Sequence, residues 1–210
     1  MRNIAIYGAG GFGREMALMI RQINQAQLQW NVVGYFDDGK SKGTDVGGIK
    51  VLGGYEALCN HREEISIAVA IADPLQRREL VQKIDSPLID FPVLVHPACH
   101  AGDPINHIER GCILTAGTIL TTAVTMRQFV VVNLQSTIGH DVELGQFTTV
   151  MPGCSVSGNV KVGGETLIGT GARILQNLSI GRNCVVGAGA VVTRNFGDHK
   201  TLMGIPANEK

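Results

Sequence analysis

Near the amino terminus the run Gly8-Ala9-Gly10-Gly11-Phe12-Gly13 spaces its glycines as G-x-G-x-x-G. Where such a turn joins a strand to a helix, backbone free of side chains can approach a phosphate seated at the helix N-terminus. The flanks supply that context. Residues 3–8 read as a short buried strand, and a helix is expected from Arg14 to about Gln25. A second strand over Val32 to Phe36 ends in Asp37-Asp38, two carboxylates able to accept hydrogen bonds from a ribose or a base. The chemistry indicated is the binding of a nucleotide-containing ligand, with a ligand-free strand-to-helix turn as the alternative. The turn by itself does not distinguish NAD from a nucleotide-sugar.

Metal chemistry is not indicated. His96, His100 and His107, with Cys99, fit no standard zinc spacing, and His96-Pro97 is read as the lead-in to a repeat. His61 and His199 are read as solvated. The five cysteines occur with no signal peptide and no apolar run near ~18 residues, which favours a reducing cytoplasm and argues against membrane insertion. Lys and Arg total 18 against 18 Asp and Glu, scattered along the chain, so neither nucleic acid nor an anionic membrane is expected as a partner.

The elements that must hold the glycine turn make a compact βαβαβ unit. After the second strand come Gly53-Gly54 and a short helix, then a third strand from Ile65 to Ile71. Asp73-Pro74 opens a further helix to about Lys83, carrying Arg77 and Arg78. This is one mononucleotide-binding half of a Rossmann-like domain. The second half, needed for a full dinucleotide, is replaced by something else, which weighs against a dehydrogenase. No Tyr-Lys or His-Asp hydride-transfer constellation is recognisable either.

What replaces it has a period of six. Every sixth residue from Ile108 to Val192 is Ile, Leu, Met or Val without a miss. Neither helix nor strand alone has that period; a parallel β-helix of hexapeptides does, with one aliphatic residue per short strand pointing into a narrow triangular core. Gly follows the aliphatic residue at Gly139, Gly145, Gly163, Gly169, Gly181 and Gly187, where a corner needs unusual backbone angles or close approach. Four positions after each aliphatic residue the side chain is usually small or Val, and Cys112, Cys154 and Cys184 sit there as core filler. Three hexapeptides make one coil, so residues 18 apart stack in columns about 4.8 Å per step, and about five coils result. His140, Gly158 and Gln176 form one column, with a side-chain-free notch expected at Gly158. Pro152, Thr170 and Ala188 form another, small enough to admit an extended pantetheine arm. Lys161, Arg173 and Arg182 on outward positions are read as solubilising. The expected organisation is a Rossmann-like domain over 1–90, the β-helix over 91–194 and a C-terminal tail over 195–210.

With Gly8 to Gly13, Tyr35-Phe36-Asp37-Asp38, His96-Pro97, Ile138-Gly139-His140-Asp141 and Gly204-Ile205-Pro206-Ala207, nearly the whole chain resembles the PglD/NeuD-like nucleotide-sugar acyltransferases. The resemblance implies a left-handed β-helix, a homotrimer, acetyl-CoA in the groove between adjacent β-helices, and a sugar nucleotide on the N-terminal domain. It implies that His140 is the general base, with Asp141 beside it. Imidazole suits that task because an amine attacking a thioester must lose its proton as it attacks, and a neighbouring carboxylate orients the ring. Asp141 stands where relatives often carry the longer Glu. By the same resemblance Thr149, Gly158, Thr170 and Ala188 match acetyl-CoA positions, Thr149 standing where relatives place a second His. Gly10, Gly11, Phe12, Asp37, Asp38 and Arg77 match sugar-nucleotide positions, and Asn133 lies near the acceptor. The activity expected is acetyl transfer from acetyl-CoA to a 4-amino group of a nucleotide-linked dideoxysugar. O-acetylation of a sugar or sialic acid on the same scaffold, and a nucleotide-binding protein without turnover, are the alternatives.

Overall fold

The computed structural model describes residues 1–210, which form two units: Met1–Ala72 with Gln76–Pro92, and Asp73–Leu75 with Val93–Lys210. In the first, strand β1 (Arg2–Tyr7) is buried from Ile4 onward, as a central parallel strand covered on both faces must be. Helix α1 (Gly11–Ala26) starts three residues before the expected position, directly on Gly10. It buries Met16, Met19, Ile20 and Ile23, one stripe at helical spacing. The Asn24 carboxamide closes its far end by accepting from the amides of Gln29 and Trp30 at 3.1 and 2.9 Å. Strand β2 (Trp30–Phe36) follows, then a hairpin of β3 (Asp45–Val46) and β4 (Ile49–Gly53), helix α2 (Tyr55–Cys59), strand β5 (Ile65–Val69), helix α3 (Pro74–Lys83) and strand β6 (Ile89–Asp90).

These strands make a six-stranded sheet in the order β3-β4-β2-β1-β5-β6, parallel except for the β3–β4 hairpin. The chain moves outward one way from β1 and the other way from β5, so the switch point lies between them and a crevice opens at their carboxyl ends. Sequence reading found three of the six strands. The hairpin escaped because its first arm is only two residues long and its second, Ile49–Gly53, is short and runs into glycine, although its turn, Gly47-Gly48 with φ of +64° and +84°, is legible as a tight reversal.

The second unit begins with β7 (Leu94–Val95), which pairs with Ile113–Leu114, and winds into a parallel solenoid of two-residue strands. Partners are 18 residues apart, as in Ile119 with Thr137 and Thr137 with Ser155. Three sheets result. Two have five strands each, and the third has eight because β7 and two C-terminal strands extend it. This is the hexapeptide architecture expected of a left-handed β-helix, and the core is the six-residue series from Leu114 to Val192 with its companions Val124, Val130, Val142 and Val160.

The corners decide what the sequence left open. The left-handed backbone lies not at the glycines that follow the aliphatic residue but two positions later. There, every sixth residue has positive φ, from +51° at Asn183 to +73° at Gly117, and Ala123, Phe129, Asp141 and Glu165 are among them. The glycines of Gly139 and Gly145 are required by close approach instead. A Cβ at Gly145 would stand 2.4 Å from the Gly164 nitrogen of the next coil.

Residues 195–210 are not a loose tail. Phe196, Leu202 and Ala207 belong to the solenoid core, Thr201–Met203 pairs with Val185–Val186, and Asn208–Glu209 folds back antiparallel on Thr201–Met203. No helix of the chain is long and apolar enough to cross a membrane.

Candidate functional site

The glycine turn is built by contact. A Cβ on Gly13 would lie 1.9 Å from the Gly8 carbonyl oxygen, so α1 packs directly on the end of β1. Gly10 and Gly11, by contrast, face open space. The Asp37 carboxylate accepts from the Ala9 amide at 2.7 Å and from the Gly39 amide at 2.9 Å, holding the turn from the end of β2. Asp38 accepts from the Tyr7 hydroxyl at 2.5 Å and, through its other oxygen, from the Tyr55 amide at 2.7 Å. It therefore joins β1, β2 and the first turn of α2. Burial, with Asp38 behind it, raises the Tyr7 phenol far above its ordinary pKa, so Tyr7 is a fixed donor. A cavity of about 760 Å3 lies at this edge of the sheet, with Tyr7, Asp37, Asp38, Gly54 and Tyr55 on its wall. A smaller one, about 370 Å3, lies against Gly10 and Gly11 with Arg14 and Lys40, and Lys40 borders both.

Asp37 and Asp38 thus border the larger cavity and Gly10 and Gly11 the smaller, and the half-buried Phe12 stands in the first turn of α1. Arg77 does not join them. It is 1% exposed and donates to the carbonyls of Ile71 and Ala72 at 2.6 and 3.2 Å, bracing the passage from β5 into α3. Its expected contact with a sugar nucleotide is withdrawn, because a guanidinium buried on backbone carbonyls has no face toward the cavity. Sequence reading missed the cavity's other wall. Gln76, Glu79, Leu80 and Lys83 line it from α3, and their i, i+3, i+4, i+7 spacing was the available signal.

On the solenoid, His140 and Asp141 occupy one corner. Asp141 has φ of +59°, which turns its carboxylate back along the chain. The His140 Nδ1 meets Asp141 Oδ2 at 2.8 Å, so the shorter acid does reach the ring. With Nδ1–H donating to the carboxylate, Nε2 is left as the acceptor, the tautomer a general base requires. The notch expected at Gly158 is filled by that imidazole. A Cβ on Gly158 would lie 2.3 Å from Nε2 and 2.5 Å from Cε1, so the glycine is the floor on which the ring rests. The His140 carbonyl accepts from the Asn159 amide at 2.7 Å, which fixes the corner to the next coil.

The adjacent corner carries a shallow groove of about 560 Å3, bordered by Leu134, Gln135, Pro152, Gly153, Thr170 and Gly171. Pro152 and Thr170 share it as the column arithmetic predicts, while Ala188 is exposed one coil further on and does not line it. One expectation fails on burial. Thr149 has no exposed surface, so a contact with acetyl-CoA does not fit it. Asn133 is 6% exposed and its side-chain amide donates to the Val150 carbonyl at 3.2 Å, which fixes the carboxamide and leaves Oδ1 as its remaining acceptor. Thr149 sits on a strand face whose neighbours in register, Val131 and Ile113, are also buried. Desolvation pushes the half-buried Cys99 thiol up to about 11, and Cys154 is raised by burial, so neither is disposed to act as a nucleophile.

Residues 3–84 match the family model for the PglD N-terminal domain, and residues 159–194 match that for the bacterial transferase hexapeptide, six repeats. No curated protein matches the chain. Among solved structures, the chain is similar over its whole length to the acetyltransferase domain of PglB from Neisseria gonorrhoeae in complex with acetyl coenzyme A (30% identity, 99% of that chain, TM-score 0.88). WeeI from Acinetobacter baumannii is equally similar (30% identity, 100% of both chains, TM-score 0.89). PerB from Caulobacter crescentus, in complex with CoA and GDP-perosamine, follows at 26% identity over 100% of this chain and 98% of that one, with a TM-score of 0.91.

Proposed function

The chain belongs to the PglD/NeuD-like family of nucleotide-sugar acetyltransferases, and from that premise we propose that it moves acetyl from acetyl-CoA to the 4-amino group of a nucleotide-linked amino-dideoxysugar. The observation that carries the reading is the 2.8 Å contact between His140 Nδ1 and Asp141 Oδ2, which leaves Nε2 free on an exposed corner. The acceptor amine attacks the thioester carbonyl while Nε2 takes its proton. The Asp141 carboxylate stabilises the imidazolium so formed. The tetrahedral intermediate then collapses, breaking the C–S bond and expelling CoA thiolate, which the imidazolium can reprotonate. No acyl-enzyme is required, and most of the rate enhancement comes from holding the two substrates together.

PerB with CoA and GDP-perosamine and the PglB domain with acetyl coenzyme A support this pair of substrates. The glycine turn and its cavity hold the nucleotide. The pantetheine arm lies in the groove at Pro152 and Thr170. One chain puts that groove and His140 on different corners, an arrangement that supports a homotrimer in which one copy's groove lies beside its neighbour's histidine. The five free cysteines support a cytoplasmic location.

Thiol release from acetyl-CoA, measured against UDP-, dTDP- and GDP-linked 4-amino-dideoxysugars with sialic acids as hydroxyl acceptors, tests the proposal. His140→Ala should lower kcat by about 10²–10⁴ while acetyl-CoA affinity stays nearly unchanged. Unchanged turnover in that variant would remove His140 from the chemistry, and turnover with sialic acids alone would replace N- by O-acetylation.

A further inference from the structure

The face that α3 presents to the larger cavity is unusual for a helix wall. Leu80 is 8% exposed and, with Ile71 at the end of β5, gives the cavity an apolar patch. Around it stand Gln76, Glu79 and Lys83. Glu79 and Lys83 are four residues apart, the spacing at which opposite charges on a helix readily pair, yet neither forms an ion pair with the other or with any other side chain. The Lys83 carbonyl accepts from the Tyr55 hydroxyl at 2.6 Å, which fixes the end of α3 against α2. A hydrogen-bond acceptor and a donor are therefore held side by side, unspent, on a rigid element bordering a ligand-sized space.

Resting on the nucleotide-sugar reading above, we infer that this face reads the edge of the nucleobase and that the base is guanine. Guanine sets the O6 acceptor beside two donors, N1–H and the N2 amine. Lys83 suits the first, and the Glu79 carboxylate can take the other two as a bidentate, charge-assisted pair. Uracil and thymine flank a single N–H with carbonyls on both sides, so one carbonyl oxygen would be forced against the carboxylate. Adenine presents a ring acceptor there. The flat faces of the base find Leu80 and Ile71. Lys40, bordering both cavities, and Arg14, beside Gly10 and Gly11, are placed to take the diphosphate.

Calorimetric titration of the intact chain with GDP, inosine diphosphate, UDP and dTDP tests this directly. GDP should bind at least about tenfold tighter than UDP or dTDP, a margin typical of one bidentate base contact. Inosine diphosphate, lacking the N2 amine, should fall between. Glu79 is exposed, so Glu79→Gln should fold normally; it should weaken GDP binding and, by removing the repulsion of a pyrimidine carbonyl, leave UDP at least as tight as before, so that the preference for GDP is lost. UDP or dTDP binding as tightly as GDP, or undiminished GDP affinity in Glu79→Gln, would overturn the inference. Its failure separates cleanly from that of the proposed reaction. Acetylation of a UDP- or dTDP-linked amino sugar with the GDP-linked one ignored overturns guanine and keeps the acetyltransferase. A GDP preference without acetyl transfer to any amino sugar keeps guanine and overturns the acetyltransferase.

Discussion

His140 depends on an atom that is not there. Because the ring rests on the bare Cα of Gly158, Gly158→Ala should tilt the imidazole off its seat without touching the histidine itself. Turnover should drop about 10²-fold, the usual cost of displacing a catalytic group by an ångström, while thermal stability changes little. Steady-state kinetics beside a melting curve separates this from unfolding. The pair His140-Asp141 was legible in the sequence because both residues lie on one corner, one after the other. The seat was not. Column arithmetic found that Gly158 stacks beneath His140 but could not say that the ring would lie down rather than stand away. Arg77 and Thr149 misled for a related reason. Their positions match a pattern, but whether a side chain is open to a ligand depends on what covers it, and burial is set by residues remote in sequence.

At the scale of the element, the solenoid uses glycine for two different physical reasons, and they predict different penalties. Gly189 has φ of +67° and open space where a Cβ would go, so Gly189→Ala should cost only the left-handed backbone penalty, about 1–2 kcal/mol. Gly145 has ordinary backbone but no room, so Gly145→Ala must push two coils apart, at about 3 kcal/mol or more. Denaturant midpoints of the two variants should fall in that order. The lead-in to the solenoid carries a pH dependence. His96 is 8% exposed, its Nδ1 accepts from the Ala98 amide at 2.9 Å, and burial holds its pKa below the ordinary value. The unfolded chain takes up a proton near pH ~6.5 that the folded state refuses, so this contribution is complete above that pH and lost as pH falls below it. The melting temperature should drop between pH 7.5 and 5.5, and His96→Gln should flatten the drop. The period of six was plain in the sequence because each strand contributes one core residue. The separate period of left-handed residues was hidden, because Phe, Glu, Asp and Asn share it with Gly.

For the whole molecule, the decisive feature is how the coils end. Along the strands the amides of one coil donate to carbonyls of the next, as Thr137 does to Cys154, so every coil but the last has its strand donors taken. The run of parallel partners closes at Thr201–Met203, over which Asn208–Glu209 folds in the opposite sense, with Leu202 and Ala207 plugging the bore. Stopping the chain at Arg194 would remove all of this and leave Ile180, Val186 and Val192 at an open mouth. Sedimentation of that truncated protein should show large, heterogeneous species where the full chain gives one defined assembly. The reason reaches beyond stability. A parallel solenoid is a crystal one coil wide, and each turn is a template for an identical turn above it. Nothing in the repeat tells it to stop. The reversed hairpin is a growth terminator: by presenting strand direction and charge that no further coil can match, it confines to a single molecule an order that would otherwise propagate from one chain to the next.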